Sequence, residues 1–398
     1  MLAAHPAVQR LENRLGISVL TSAGLPFLAL GAVFALPAVG VLTPEIVTDL
    51  RPAFNIGLAW VGFVIGMQFD LRWLNTLPRG TSAAAFIQAA PALVVSAALC
   101  ALALVALGVP LESPTLYRDV LILCGCAAAS APLAARTLAP VVGDAPAREV
   151  ETITRLDECI PLAVLALAAI IYRPTGVMTA WIVPPTVWAI IIAGLGALCG
   201  VVTWVLLRSA HGEAERMALL LGSIALVAGT ASHLALPPAV LCLIAGALVS
   251  NLPLEGTPRL REMMITVERP MYLVFLLIAG AGWKPGDWQG WLLAVVFVAA
   301  RLIGKRLGAL WASRAAPGLP EPGPLARLLV PLSPVAIVVI VSAAALFPTG
   351  EPLRWAVNAV IVGGVLSEII SRMLRGTPAT PAEEALEPRV PGAPAPAP

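Results

Sequence analysis

Long runs of apolar residues alternate with short polar stretches along almost the whole chain. Twelve apolar segments can be delimited, and they cover approximately residues 16–38, 53–69, 82–107, 117–139, 150–172, 181–207, 215–234, 237–252, 269–283, 289–313, 326–347 and 354–375. A helix needs about 20 predominantly apolar residues to cross the hydrocarbon core of a bilayer. The pattern therefore predicts an all-α polytopic membrane protein with about 12 transmembrane helices.

Composition supports this prediction. The chain has 398 residues, of which 59% are apolar and 12% charged, whereas soluble domains carry about 25% charged residues. We predict one transmembrane domain over residues 1–375 and a disordered cytoplasmic tail over 376–398, which is rich in proline and alanine. The sequence contains no Walker-type phosphate loop, which argues against ATP-driven transport. We expect no enzymatic activity, no cofactor and no nucleic-acid partner.

The distribution of basic residues predicts the orientation. Of the 25 lysines and arginines, seventeen fall on the side of the N-terminus and three lie inside segment ten. The five that fall on the opposite side are Arg51, Arg118, Arg173, Lys284 and Arg354. Such a bias is typical of multi-pass proteins whose basic loops are cytoplasmic, and it predicts that both termini are cytoplasmic.

Two adjacent carboxylates, Asp157 and Glu158, lie inside segment five. A charge in hydrocarbon costs roughly 2.5–3.5 kcal/mol on insertion scales, so such a residue should line a cavity or meet a counter-charge. Adjacent helical residues point about 100° apart. One carboxylate can therefore face a partner helix while the other faces a water-filled cavity.

Two segments carry signs of interruption. Segment four contains Ser130 close to Pro132, and segment eleven contains Ser333 next to Pro334. Proline removes a backbone donor and frees carbonyl groups in a helix. Interrupted helices at corresponding places in two halves indicate a transporter with inverted repeats and a midplane site, here segments 3–5 and 10–12. The alternative is a pair of ordinary proline kinks.

Segment ten supplies basic residues. Arg301 lies near the middle of the span, and Lys305 follows one turn later on the same face. Arg301 is the better candidate to pair with a carboxylate, because Lys305 can extend toward the membrane surface. If segment ten ends early, Arg301, Lys305 and Arg306 are all ordinary cytoplasmic anchors. Isolated polar residues elsewhere, including Gln88 in segment three, could line a pathway or be ordinary hydrogen-bonded groups.

Several stretches resemble the monovalent cation/proton antiporter superfamily of sodium/proton exchangers. Residues 55–71 resemble an early helix of that family ending in Asp-Leu, and residues 236–251 resemble its proline-containing segment ending in Ser-Asn. Asp157 and Glu158 stand where the family has a paired acidic motif, and Arg301 and Lys305 where it has an intramembrane basic residue. Segments four and eleven stand where it has two crossed, unwound helices.

The resemblance implies a homodimer in the cell (inner) membrane with alternating access. The mobile core would comprise helices within about 82–172 and 289–375, and the scaffold helices within about 16–69 and 181–283. The sequence departs from the family's pattern in having Glu as the second acidic residue and in having Ser130, with no Asp or Thr, in the broken part of segment four.

These residues and the resemblance predict a secondary transporter that exchanges a monovalent cation for protons, with Na⁺ favoured and K⁺ possible. Glu158 is expected to bind either the proton or the cation, while Asp157 is a second ligand or the partner of Arg301. The Ser130 hydroxyl and freed carbonyls near Ser333 would complete an oxygen shell suited to a hard cation.

The partner of the carboxylate decides the predicted stoichiometry. An arginine stays protonated in proteins, so an Arg301 pair predicts one proton per cation and electroneutral exchange. A buried lysine can release a proton, so a Lys305 pair predicts two protons per cation and electrogenic exchange. Position along segment ten favours Arg301. Two alternatives are an organic-anion symporter, with Arg301 as the anion ligand, and a non-transporting membrane module.

Overall fold

The structure is a computed structural model that describes residues 25–36, 39–132, 143–172, 184–254, 264, 273–274, 276–278, 280–283, 286–347 and 350–375. The helices within the described residues include α1 (Leu25–Phe34), α2 (Pro44–Asp49), α3 (Arg51–Gly66), α4 (Leu71–Leu74), α5 (Thr81–Ala106), α6 (Pro114–Ala128), α7 (Asp144–Asp157), α8 (Cys159–Ile171), α9 (Pro185–Ser209), α10 (Glu213–His233), α11 (Pro238–Asn251), α12 (Trp288–Ala315), α13 (Pro322–Leu328), α14 (Pro334–Leu346) and α15 (Glu351–Arg375). The predicted tail, 376–398, and the remainder of the first segment lie outside the described residues.

Four of these helices, α5, α9, α10 and α15, are long and apolar enough to cross a membrane by themselves. Helices α11 and α14 are apolar but shorter. Helix α12 has 28 residues, and buried basic side chains interrupt its apolar surface. The all-α polytopic membrane architecture predicted from the sequence is confirmed, and the bounds of α5, α9, α10 and α12 lie within a few residues of those predicted.

The two predicted interruptions are present, and the interrupted segments cross each other. Helix α6 ends at Ala128, and Ser130 forms an isolated antiparallel bridge with Leu332. Leu332 lies between α13 and α14, in a stretch that contains Pro331. Prolines supply no backbone N–H, so helical hydrogen bonding cannot run continuously through this stretch. Pro334 then begins α14, where its fixed φ angle suits the first helical position.

A third break was not predicted. We expected segment five to be continuous over 150–172, but α7 ends at Asp157 and α8 begins at Cys159, so that Glu158 occupies the break. Pro161 gives the physical reason. It lacks the N–H that would bond to the carbonyl of Asp157 four residues earlier, which weakens the helix at the carboxylate pair.

Helices α5 and α12 pack closely because α12 presents two glycines one turn apart. A Cβ atom at Gly304 would lie 2.4 Å from Ala92 Cα, and one at Gly308 would lie 2.1 Å from the carbonyl oxygen of Gln88. Small residues at this spacing let membrane helices approach backbone to backbone. Lys305, between the two glycines, is consequently held against α5.

Helices α3 and α11 are joined in a similar way. A Cβ atom at Gly62 would lie 2.0 Å from the carbonyl oxygen of Ala239. At the other end Asn251 Nδ2 donates to the carbonyl oxygen of Phe69 at 2.7 Å, and Leu71 N donates to Asn251 Oδ1 at 2.8 Å. The two stretches that carry the family resemblance, 55–71 and 236–251, are therefore packed side by side.

Candidate functional site

Asp157 is fully buried beside the crossing of the two interrupted helices. Its Oδ1 accepts a hydrogen bond from Ser130 N at 3.2 Å. Its Oδ2 accepts one from Gln88 Nε2 at 2.6 Å and lies 3.6 Å from Lys305 Nζ. Asp157 is therefore held by the unwound part of α6, by α5 and by a buried ammonium group.

Lys305 is also fully buried. Its Nζ donates to Gln88 Oε1 at 2.7 Å and to the carbonyl oxygen of Ala128, the last residue of α6. Gln88 thus bridges the acid and the base, since its amide donates to Asp157 and accepts from Lys305. Sequence reasoning did not single out this role. Two features of the sequence could have indicated this role. Gln88 is an amide in an apolar segment, and Gly304 and Gly308 on either side of Lys305 indicate a close neighbouring helix.

Arg301 has a different role from the one expected. Its guanidinium donates to four backbone carbonyl groups, one at the end of α6 and three in the unwound segment before α14. The acceptors are the carbonyl oxygens of Ala127, of Val330 at 3.3 Å, of Leu329 at 3.1 Å and of Pro331 at 2.9 Å.

The expectation that Arg301 rather than Lys305 pairs with Asp157 is wrong. The interrupted helices leave carbonyl groups without helical partners, and a planar guanidinium with five donors can satisfy several of them at once. Lysine, with a single nitrogen, meets the carboxylate. The arginine therefore holds the two unwound segments together, and the lysine neutralises the buried aspartate.

Glu158 lies in a different environment from its neighbour. It is buried, with 7% of its surface exposed. One of its contacts is with Ser333, whose Oγ donates to Glu158 Oε1 at 2.8 Å. The same Oγ accepts from Val335 N at 3.2 Å and so caps α14. The two adjacent carboxylates therefore contact different interrupted segments. Asp157 contacts Lys305 and the backbone of Ser130, which follows α6, whereas Glu158 contacts the hydroxyl of Ser333, which precedes α14.

The Ser130 hydroxyl donates to the carbonyl oxygen of Leu329 at 3.1 Å, and so it joins the two unwound segments. It is the backbone N–H of Ser130 that contacts Asp157. A backbone hydrogen bond from Ala131 N to the carbonyl oxygen of Pro331, at 3.0 Å, also joins the two unwound segments. The role expected for the Ser130 hydroxyl, a cation ligand, stays a prediction.

A cavity of about 500 Å³ lies between α3, α10, α11 and α14. Most of its lining is apolar, and Arg51, Asn55 and Ser342 are among the polar residues that line it. Ser342 lies on α14, nine residues after Ser333, which corresponds to about 14 Å along a helix. Helix α14 thus connects the cavity with the carboxylate site.

The chain matches no protein-family model and no curated protein. Its fold is similar to the solved structure of the sodium proton antiporter MjNhaP1 from Methanocaldococcus jannaschii at pH 8, with a TM-score of 0.62. The two chains share 15% sequence identity, and the similarity covers 92% of this chain and 94% of that chain. At this identity the similarity shows the fold. The sodium/proton antiporter fold predicted from the sequence is confirmed.

Proposed function

We propose that the chain is a secondary transporter of the cation/proton antiporter superfamily that exchanges a monovalent cation, preferably Na⁺, for protons. The observation that carries the proposal is the pair of adjacent buried carboxylates at the crossing of two interrupted helices. The structurally similar protein named above is a sodium proton antiporter, which supports the same class of activity. Carboxylate, hydroxyl and carbonyl oxygens are ligands that suit a hard cation.

In the proposed mechanism Glu158 binds either a proton or the cation. Because both occupy the same carboxylate, binding of one excludes the other, and this exclusion couples the two fluxes. Asp157 is the second carboxylate ligand. When a cation binds to Asp157 it competes with the ammonium group of Lys305, which can then release a proton.

Proton release from Lys305 favours a stoichiometry of two protons per cation. Glu158 would release one proton and Lys305 the other when the cation binds. One net charge then crosses the membrane in each cycle, and exchange is electrogenic. The contact between Lys305 and Asp157 reverses the electroneutral expectation that rested on Arg301.

The resemblance to the antiporter superfamily supports the rest of the proposal. The chain would function as a homodimer in the cell (inner) membrane with both termini cytoplasmic. The core helices, within 82–172 and 289–375, would move against scaffold helices within 16–69 and 181–283. The cavity between α3, α10, α11 and α14 would give access to the site from one side of the membrane.

An organic-anion symporter is less well supported. That function would require Arg301 to bind the anion, but its guanidinium already donates to four carbonyl groups. An incoming anion would have to break several buried hydrogen bonds, each of which is costly to leave unmade.

A proteoliposome assay with a pH-sensitive dye inside the vesicles tests the proposal. We expect Na⁺ addition to drive proton flux with the native protein and not with Glu158→Gln, which preserves the side-chain shape and removes the titratable group. Glu112→Gln, at an exposed loop position, is the matched control and should behave as the native protein does. Near-normal exchange by Glu158→Gln would contradict the assignment. Anion uptake without cation specificity would support the symporter, and no flux from folded native protein would support a non-transporting module.

A further inference from the structure

A second buried ion pair lies in the first half of α6, away from the carboxylate site. Arg118 Nε donates to Asp119 Oδ1 at 2.7 Å. Asp119 is fully buried and Arg118 is 6% exposed. Oδ2 of Asp119 has no hydrogen-bond partner within the described part of the chain. The proposed exchange uses neither residue, yet a buried ion pair is often no more stable than apolar side chains of the same volume. We therefore expect this ion pair to have a role other than stabilisation of the fold.

The guanidinium of Arg118 reaches the other interrupted helix. Its Cζ lies 5.1 Å from the centre of the Phe347 ring, which is within the range of a cation–π interaction. Phe347 is the C-cap residue of α14 and directly follows its last residue, Leu346. The last carbonyl groups of a helix lack intrahelical partners and carry partial negative charge, so a cation is favourable at this end.

Helices α6 and α14 need such a contact because neither continues as a helix through the crossing. At the crossing Arg301 binds one carbonyl group of α6 and three in the unwound segment before α14. Farther along, Cys126 Sγ donates to the carbonyl oxygen of Ala336 at 3.5 Å. Arg118 adds a contact about 15 Å along α6 from its last residue, Ala128. Two helices held near one point can still pivot, whereas a second, distant contact removes that freedom.

We propose that Arg118, Asp119 and Phe347 form a clamp at a distance from Arg301, which fixes the angle between α6 and α14 and thereby the geometry of the cation site. Asp119 orients the guanidinium, and the guanidinium holds the end of α14. The functional part of this inference rests on the proposed exchange. Ser130 follows the last turn of α6 and Ser333 precedes the first turn of α14, so a change in the angle would rotate the two sides of the site relative to each other. Arg118 and Phe347 are accordingly positioning residues.

The test uses variants that separate the clamp from overall stability. Arg118→Leu alone should lower the melting temperature, because it leaves Asp119 charged and unpaired in the interior. The double variant Arg118→Leu/Asp119→Leu removes both charges and should melt close to the native protein. We nevertheless expect its half-saturating Na⁺ concentration in proteoliposomes to rise about tenfold, since displacements near 1 Å cost up to a hundredfold in positioned sites. Arg354→Leu, at an arginine that is 37% exposed and 3.8 Å from Glu351, is the matched control and should change neither quantity.

Hydrogen exchange supplies a readout that does not depend on transport. The clamp predicts faster exchange of backbone amides near the end of α14, residues 343–347, in the double variant and not in Arg354→Leu. Native exchange rates there, together with a native half-saturating Na⁺ concentration, would overturn the proposal.

If native vesicles show no Na⁺-driven proton flux, the proposed function fails, and the hydrogen-exchange result alone decides the clamp. If the double variant does not fold, Phe347→Leu carries the same test with both charges retained: faster exchange at 343–346 supports the clamp, and unchanged exchange overturns it.

Discussion

The contact between Lys305 and Asp157 makes a prediction about voltage. Nζ and Oδ2 are 3.6 Å apart and both side chains are fully buried. Two unit charges at this separation attract each other by about 5 kcal/mol at an effective dielectric constant near 20. A cation that takes over the carboxylate removes most of this stabilisation from the ammonium group. Lys305 then releases a proton, which an arginine at the same position cannot do. We therefore expect Lys305→Arg to convert electrogenic exchange into electroneutral exchange.

The expected magnitude follows from one net charge per cycle. Moving one charge through 100 mV is worth about 2.3 kcal/mol, which corresponds to about a fiftyfold change in a concentration ratio. The assay measures the Na⁺ gradient at which proton flux stops, in proteoliposomes held at a fixed pH gradient. K⁺ and valinomycin set the membrane potential, after a check that K⁺ itself is not transported. For the native protein this null gradient should shift about fiftyfold per 100 mV.

The two variants are compared at the same potentials. The null gradient of Lys305→Arg should not move with voltage. Arg306→Gln changes the neighbouring residue, which is exposed, and its null gradient should move as that of the native protein does. A native null gradient that is independent of voltage would refute the argument, because it would mean that Lys305 keeps its proton throughout the cycle.

Three further outcomes are expected. Asp157→Asn should destabilise the protein by up to about 3–5 kcal/mol, because the buried Lys305 loses its counter-charge and must either stay charged without a partner or give up its proton, and adding Lys305→Gln should restore the melting temperature; a stable single variant would contradict this. Gly308→Ala should lower the melting temperature and the transport rate, since its Cβ has no room against α5, while Gly222→Ala, with nothing within 4 Å of the added atom, should do neither. Ser333→Ala removes a buried hydroxyl that donates to the second carboxylate, so the pH at half-maximal exchange should shift while Na⁺-driven flux persists; an unchanged pH profile would show that this bond is dispensable.

The interruptions in segments four and eleven were predictable because proline acts on the backbone locally. Pro132 and Pro334 mark them whatever the neighbouring helices do. Pro161 acts by the same rule, and the break at Glu158 could have been inferred from it. The carboxylate pair could also be predicted, because charges in an apolar span require an explanation.

The partners of the charges were less predictable. The position of Arg301 near the middle of segment ten favoured it as the partner of the carboxylate. In the structure the shape of each basic side chain, and not its depth, matches the group that it contacts. The guanidinium of Arg301 binds a group of carbonyl oxygens that are brought together only where the two unwound segments cross. The bridging role of Gln88 was missed for a related reason, because it depends on how closely α5 approaches α12. Sequence periodicity gives the face of a helix and not the distance to its neighbour.

The four acceptors of Arg301 belong to the main chain, and this has a consequence for mutational tolerance. A substitution at Ala127 or at any of residues 329–331 changes a side chain and leaves the carbonyl oxygen in place. These positions can therefore vary with little direct effect on the bonds to the guanidinium. Loss of Arg301 is different, since no second-site substitution among its acceptors can restore the lost donors. A suppressor screen on an Arg301 variant should accordingly recover changes at Arg301 itself, or a new basic residue on a neighbouring helix.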